Sequence, residues 1–340
     1  MNRTLIIAEA GVNHNGDLDT ALRLVDAAAD SGADVVKFQT FKATQLVSSS
    51  AKKAQYQITN DPSSDSTQLE MLKKLELPEE WHYILKKRAE DNGIIFNSTG
   101  FDHSSITFLD KLGVSFFKIP SGEITNKPLI EFIANKGKEV ILSTGMATME
   151  EINDAVQVLF HAGLNKEQIT ILHCNTEYPT PMNDVNLMAM HAIYEKFNIK
   201  VGYSDHTLGI EIPIAAVALG AKVIEKHFTL DRKMEGPDHI ASLEPHELKA
   251  MVTAIRNVER AISGSGLKEP SESEKKNIDI ARKSIHYASN LNENSIISLN
   301  DLIMLRPGSG ISPMQIDEVV GKSLVKSVQV GDQLSWEDLK

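Results

Sequence analysis

Short apolar runs alternate with amphipathic stretches from the N-terminus to about residue 262. The runs predicted as strands are Thr4–Ala8, Asp34–Gln39, Ile94–Ser98, Phe116–Ile119, Glu139–Ser143, Ile169–Cys174, Lys200–Tyr203 and Lys222–His227. Most hold three or four apolar residues in succession, the pattern of parallel strands covered on both faces. Between them, Thr20–Ser31, Glu79–Asn92 and Met149–Ala162 place apolar residues at helical spacing. Thr148 with Glu151 forms a capping box that opens the last of these, and Gly163 stops it. Pro78 suits the first turn of the helix that starts at Glu79.

Eight strand–helix units in roughly 250 residues predict a TIM (β/α)8 barrel over residues 1–262. A doubly wound open sheet is the rival, but no glycine-rich dinucleotide fingerprint follows any strand. The segment Thr40–Leu77 breaks the rhythm. With AKKAQYQ and NDPSSDS in it, it is polar and long for a βα connection, which predicts a functional lid over the end of the second strand. Residues 263–279 turn polar, charged and Gly/Ser-bearing, as a linker does. Residues 280–340 read as a small β-rich domain with strands at Ser284–Ala288 and Leu324–Ser327. A core of that size is marginal alone and gains from docking on a barrel.

The chain has 340 residues, 41% of them hydrophobic and 24% charged, which is an ordinary globular balance. Its net charge of −11 argues against nucleic acid as a partner, because such binding needs a basic footprint. An anionic substrate must therefore be met by local lysines and arginines. The single cysteine, Cys174, excludes an internal disulfide and fits a reducing compartment. The apolar run before Glu9 is too short for a signal-peptide core or a membrane span, so a cytoplasmic protein without membrane partners is expected.

Polar residues gather where the strands finish, which in a barrel is the catalytic face. Glu9 ends the first strand; Lys37 and Gln39 the second; Ser98 and Thr99 the third; Lys118 and Ser121 the fourth; Ser143 and Thr144 the fifth. His173, Thr176 and Tyr178 end the sixth, Ser204, Asp205 and His206 the seventh, Glu225 and His227 the eighth. Glu225 and His227 are two apart and so share one side of their strand. His206 and His227 are candidate ligands for a divalent metal, with water and substrate oxygens completing the set. A pair of hydrogen-bonded imidazoles is the plainer alternative. Lys37 and Lys118 lie inside apolar strands, where an unpaired ammonium is costly. They bind an anion, or one is a nucleophile of lowered pKa. Ser121, Ser143 and Ser204 offer hydroxyls to a phosphate. Glu9 and Glu225 are acid/base candidates, unless they serve only as salt-bridge partners for the lysines.

IAEAGVNHNGD, VVKFQTF, FKIPSGE, ILSTGM, LHCNTEYPTP, GYSDHT, IEKHFT and GPDH, in this order and spacing, resemble the bacterial sialic acid synthases. The resemblance runs from about Leu5 to the C-terminus, and the tail around RPGSGIS is similar to that family's antifreeze-like (SAF) domain. It implies a transferase of carbohydrate biosynthesis. C3 of phosphoenolpyruvate attacks the aldehyde of open-chain N-acetylmannosamine, water adds at C2, and phosphate leaves, giving N-acetylneuraminate. The alternative is a synthase that takes 2,4-diacetamido-2,4,6-trideoxymannose to N,N'-diacetyllegionaminate.

Carried over by motif, Lys37, Lys118, Ser121, Ser143 and Ser204 fall where phosphoenolpyruvate binds, and Glu9 and Glu225 near the reacting carbons. Gln39, Thr99, Phe101, Thr176, Tyr178 and Asp238 fall on the sugar side, and His206 and His227 match Mn2+ ligands, with Mg2+ or Co2+ as substitutes. Arg306 matches an arginine that enters the neighbouring subunit's barrel, which implies a domain-swapped homodimer. Gly100 stands where relatives often carry proline and Thr176 where some carry asparagine, and these departures bear on the sugar. Outside the resemblance stand a Schiff-base aldolase with Lys118 as nucleophile and a non-enzymatic carbohydrate- or ice-binding protein. An ice-binding face needs regularly spaced threonine, and no threonine follows Thr253.

Overall fold

A computed structural model describes residues 3–60 and 67–340. The chain divides into two compact units, Met1–Gly264 and Ser265–Lys340. The first contains eight parallel strands: β1 (Leu5–Gly11), β2 (Val35–Thr40), β3 (Ile95–Gly100), β4 (Phe116–Ile119), β5 (Glu139–Ser143), β6 (Ile169–Cys174), β7 (Lys200–Asp205) and β8 (Val223–His227). Their order, β3-β2-β1-β8-β7-β6-β5-β4, is the cyclic order of a barrel. At the one seam without a ladder, the Asn97 side-chain amide of β3 donates to the Phe116 carbonyl of β4 at 3.0 Å. The barrel is therefore nearly closed, and the open doubly wound sheet is excluded.

Alternation along each strand sorts the side chains. Ile7, Val35, Phe116, Ile141, Leu172 and Val223 meet inside the barrel and form its floor. Their neighbours Ile6, Val36, Phe117, Val140, Ile171 and Ile224 face outward into the larger core under the helices. Gly202 of β7 sits at the floor because a Cβ there would clash with the Val223 carbonyl and lie 2.7 Å from Leu172 Cδ2. Packing at this density leaves no room for another atom.

Three predicted strands have their expected bounds, and β1, β3 and β7 run two or three residues further toward the mouth than their patterns suggested. The helix at Met149–His161 starts with the expected reciprocal cap between Thr148 and Glu151. The segment after β2 differs from expectation. It folds into α2 (Ala43–Leu46), α3 (Gln55–Asn60) and α4 (Gln68–Leu75), following α1 (Leu18–Asp30) in the chain. Most of the NDPSSDS run lies outside the described residues. Met71, Leu72 and Leu75 of α4 are buried; the lysines between them disguise an amphipathic helix as a polar loop.

In the second unit, β9 (Ser284–Tyr287) pairs antiparallel with β10 (Leu302–Leu305). The predicted strand Leu324–Ser327 does not form. Only single bridges occur there, Leu324 with Leu339 and Val328 with Leu291. Ile285, Tyr287, Ile297, Val319, Leu324 and Leu334 make this unit's own core. The stretch read as a linker carries two one-turn helices, Glu272–Lys275 and Ile278–Ala281. Among the described residues no helix is long and apolar enough to cross a membrane.

Candidate active site

Above the apolar floor the same inward positions turn ionic. Glu9, Lys37, Lys118 and Glu225 lie side by side within the barrel, all buried. Lys37 Nζ is 2.6 Å from Glu9 Oε2 and 3.6 Å from Glu225 Oε2. Lys118 Nζ is 3.5 Å from Glu225 Oε1. Lys37 also donates to Thr99 Oγ1 at 2.7 Å, and the Ser204 hydroxyl donates to Glu225 Oε1 at 3.0 Å. The two lysines that stood out as costly cations are thus paired, one of them twice.

The two carboxylates are not equivalent. Burial raises both, but Lys118, Lys37 and His227 together outweigh it at Glu225, with the Ser204 hydrogen bond adding to them, and hold that carboxyl well below its ordinary range. Glu9 has burial against it and Lys37 as its main counterweight, with the Glu225 charge pushing further, and rises to about 7. Burial alone would lower Lys37, but Glu225 and Glu9 keep it charged and its pKa raised. At Lys118 burial prevails over Glu225, and its pKa falls. One carboxylate stays ionised while the other is poised near neutrality, the arrangement that separates acid/base roles.

Nearer the mouth, His206 and His227 have ring centroids 5.5 Å apart. Tyr178 packs on His206 at 4.0 Å and meets His227 edge-on at 5.6 Å. Burial depresses both imidazoles, His206 to about 4, and His227 is lowered further by its neighbour His206. Both are neutral at pH 7. His206 Nδ1 donates to the Asn175 carbonyl, which leaves Nε2 as a lone-pair donor. Buried His227 Nδ1 has no hydrogen-bond partner among the described residues. Asp238 Oδ2 is 3.9 Å from it, and burial raises that carboxyl to about 6. No third His, Cys, Asp or Glu joins these imidazoles as a metal cluster among the described residues. The donor set fits a divalent ion completed by solvent and substrate oxygens.

A cavity of about 560 Å3 opens over these groups. Fifteen of the sixteen residues expected at the site line it: Glu9, Lys37, Gln39, Thr99, Phe101, Lys118, Ser121, Ser143, Thr176, Tyr178, Ser204, His206, Glu225, His227 and Asp238. Arg306 is the exception. It belongs to the second unit, is exposed there, and donates from Nε to the Ala281 carbonyl at 3.0 Å. Ser143 Oγ is buried without a partner among the described residues. Ser121 Oγ accepts from the Gly145 N–H at 2.9 Å. A Cβ on Gly145 would lie 2.5 Å from Thr176 Cγ2 and 2.8 Å from Ser121 Oγ, so glycine keeps this corner open.

Four strand-end residues grouped with the ring do not line the cavity, among them Thr144, whose hydroxyl donates to the Leu172 carbonyl at 2.9 Å. Ser98 bonds Thr40 at 2.6 Å, and Thr40 in turn bonds His82 at 2.7 Å. His173 Nε2 donates to the Val185 carbonyl at 2.9 Å. Asp205 pairs with Lys226 at 2.6 Å behind the wall, and both are 0% exposed. Each sits one residue from an inward-facing neighbour, so strand alternation carried the signal. Cys174, 3.1 Å from Ser121 Oγ, also lines the cavity and was not anticipated; the apolar residues of α2 and α4 line it too, within the segment expected as a lid but not expected to be apolar or helical. His14 and His239, conspicuous in their motifs, tie loops together. His14 Nδ1 accepts from the Gly16 N–H at 3.0 Å, and His239 bonds Thr229 at 2.7 Å and Asn15 at 3.1 Å.

The model of the NeuB family matches residues 24–268, and that of the SAF domain matches 282–340. The N,N'-diacetyllegionaminic acid synthase of Campylobacter jejuni is 53% identical over 327 residues, covering 96% of this chain and 97% of that protein. The enzyme of the same name from Legionella pneumophila is 50% identical over 337 residues, covering 98% and 94%. Among solved structures, the N-acetylneuraminic acid (sialic acid) synthetase of Leptospira borgpetersenii, in complex with citrate, matches with a TM-score of 0.72 at 37% identity. That match covers 82% of this chain and 90% of the synthetase.

Proposed function

The chain belongs to the NeuB family and carries a C-terminal SAF domain, and from that premise we propose that it condenses phosphoenolpyruvate with 2,4-diacetamido-2,4,6-trideoxymannose. The products are N,N'-diacetyllegionaminate and phosphate. The observation that carries this reading is the end-to-end identity of 53% and 50% to two N,N'-diacetyllegionaminic acid synthases. The sugar expected first, N-acetylmannosamine, has weaker support: the sialic acid synthetase match stands at 37%.

In this reading Lys37, Lys118, Ser121, Ser143 and Ser204 receive the phosphate and carboxylate of phosphoenolpyruvate. The Ser143 hydroxyl, without a partner among the described residues, and the buried Lys118 ammonium, 3.5 Å from Glu225 Oε1, support that role. Gln39, Thr99, Phe101, Thr176, Tyr178 and Asp238 surround the sugar. His206 and His227 would hold a divalent ion, manganese first, which supplies Lewis-acid polarisation of the sugar carbonyl.

C3 of phosphoenolpyruvate bonds to the aldehyde carbon, and protonated Glu9 gives its proton to the new hydroxyl. Glu9, now ionised, takes a proton from the water that adds at C2, and the C–O bond to phosphate then breaks as the new C2 hydroxyl passes its proton to the departing phosphate and becomes the ketone. A pKa near 7 suits a group that must both give and take a proton. Glu225, ionised throughout, holds the two ammonium groups in place and steadies positive charge developing at C2.

Purified enzyme offered phosphoenolpyruvate with each sugar tests the reading by phosphate release. The diacetamido sugar should give the higher kcat/KM; a higher value for N-acetylmannosamine sinks the assignment. Borohydride with substrate should leave no adduct on Lys118, whereas an aldolase would be trapped. For Arg306, the family resemblance supports insertion into a partner's barrel in a domain-swapped homodimer. Light scattering should then give twice the 37.5 kDa chain mass, and Arg306→Ala should lower sugar use without unfolding the protein.

A further inference from the structure

One side of the barrel mouth is polar, and the other carries a patch of apolar side chains. Lys118, Ser121 and Ser143 line the first, at the ends of β4 and β5; Leu46, Met71, Leu72 and Leu75 line the second, on α2 and α4. These four belong to an apolar cluster based on Val12, Phe41 and Phe101. The side is a built wall. Thr67 and Glu70 cap α4 reciprocally, which starts the helix so that Met71, Leu72 and Leu75 share its buried face. The Ala43 N–H at the start of α2 donates to Glu76 Oε1 at 2.7 Å, tying the two helices together. Phe41 and Phe101 meet edge-on at 6.0 Å beneath them.

A sugar whose aldehyde carbon lies beside Glu225 and the imidazoles must send its other end outward from the barrel axis. With the anion on the lysine and serine side, the apolar side is the surface left for that end. We propose that Leu46, Met71, Leu72 and Leu75 form a specificity wall that selects a sugar ending in a methyl group over one ending in a primary hydroxyl. This inference rests on the proposed synthase reading and adds the part of the pocket that reads C6. A hydroxyl pressed on such a surface loses water and gains no partner, whereas a methyl loses nothing. Gln55 and Gln68 border the same wall, and their amides match an acetamido group better than they match an anion. An apolar pocket rejects an added hydroxyl by no more than about a hundredfold.

The test uses the full-length enzyme and two sugars that differ only at C6, N-acetylmannosamine and its 6-deoxy analogue, neither with a 4-acetamido group. Wild-type kcat/KM should be about tenfold or more higher for the 6-deoxy sugar. Leu72→Gln and Leu46→Gln should each bring that ratio close to one, with KM for phosphoenolpyruvate unchanged. Leu46 is only half-buried, so its variant decides the matter if Leu72→Gln fails to fold. A ratio near one in the wild type, or a wild-type ratio kept in every folded variant, overturns the wall. If the wild type prefers the 6-deoxy analogue yet rejects the diacetamido sugar, the wall stands and the proposed product falls.

Discussion

Lys226→Met tests the idea that a buried ion pair behind the barrel wall positions His206. Lys226 Nζ and Asp205 Oδ2 are 2.6 Å apart, and both residues are 0% exposed. At an effective dielectric constant of about 20 that contact is worth roughly 6 kcal/mol of Coulomb attraction. Most of this offsets desolvation, so the net loss on removing one partner is the cost of an uncompensated buried charge, about 3–5 kcal/mol. Lys226 also donates to the Thr207 carbonyl, which loses its donor in the variant. For a unit of this size the loss lowers Tm by roughly 10 °C. Asp205→Asn combined with Lys226→Met removes both charges and keeps an oxygen for the Thr207 N–H, which now donates to Asp205 Oδ1 at 3.0 Å. That double variant should regain at least about 2 kcal/mol in urea or thermal unfolding. Its activity should still fall about tenfold or more, because the Lys226 ammonium that held the Thr207 carbonyl next to His206 is gone. Lys226→Met within about 1 kcal/mol of wild type, or a double variant as unstable as the single, would refute the reasoning.

Further expectations concern the site itself. Glu9 is raised from 4.5 to about 7, so the native state keeps a proton that the unfolded chain has released. Its contribution to stability should therefore fall as pH rises through that window, and Glu9→Gln should remove that part of the slope in unfolding curves taken across it. The same variant should lose the activity limb near pH 7; an unchanged profile would exclude Glu9 as the group that titrates. His206→Ala and His227→Ala should each weaken Mn2+ binding, read from the free-ion paramagnetic signal, by about tenfold or more. Wild-type affinity in either variant would remove that residue from the metal site.

Much of this arrangement was legible because parallel strands buried on both faces leave little freedom. Lys37 and Lys118 drew notice as cations inside apolar runs, and the same burial that made them conspicuous made them functional candidates. Glu225 and His227 were placed together by period two, with Lys226 between them on the opposite face. The same rule separates neighbouring residues elsewhere. Ser98, His173 and Asp205 lie one residue from Thr99, Cys174 and Ser204, and the alternation that sends the latter three inward sends the former behind the wall. Cys174 escaped because a lone thiol in an apolar strand looks like core. Helix α4 escaped because Lys73 and Lys74 dominate a short window, while its apolar partners Val12, Phe41 and Phe101 are distant in sequence. Whether a short helix is amphipathic depends on a surface to bury it, and that surface is a tertiary fact.

The balance of charge explains how a chain of net −11 can hold an anion. Glu9, Glu225, Lys37 and Lys118 cancel when both carboxyls are ionised. With Glu9 protonated the group carries one net positive charge, which is the state an incoming phosphate and carboxylate favour. A like charge nearby raises a carboxyl's pKa, so bound phosphoenolpyruvate should push Glu9 higher still. Binding near pH 7 should then take up a proton, and the measured binding heat should vary with the ionisation enthalpy of the buffer. Glu9→Gln should abolish the uptake while leaving binding intact, since its amide imposes no negative charge on the anion. If the heat is the same in every buffer, Glu9 does not change protonation on binding, and the proton it gives to the new hydroxyl must come from another group.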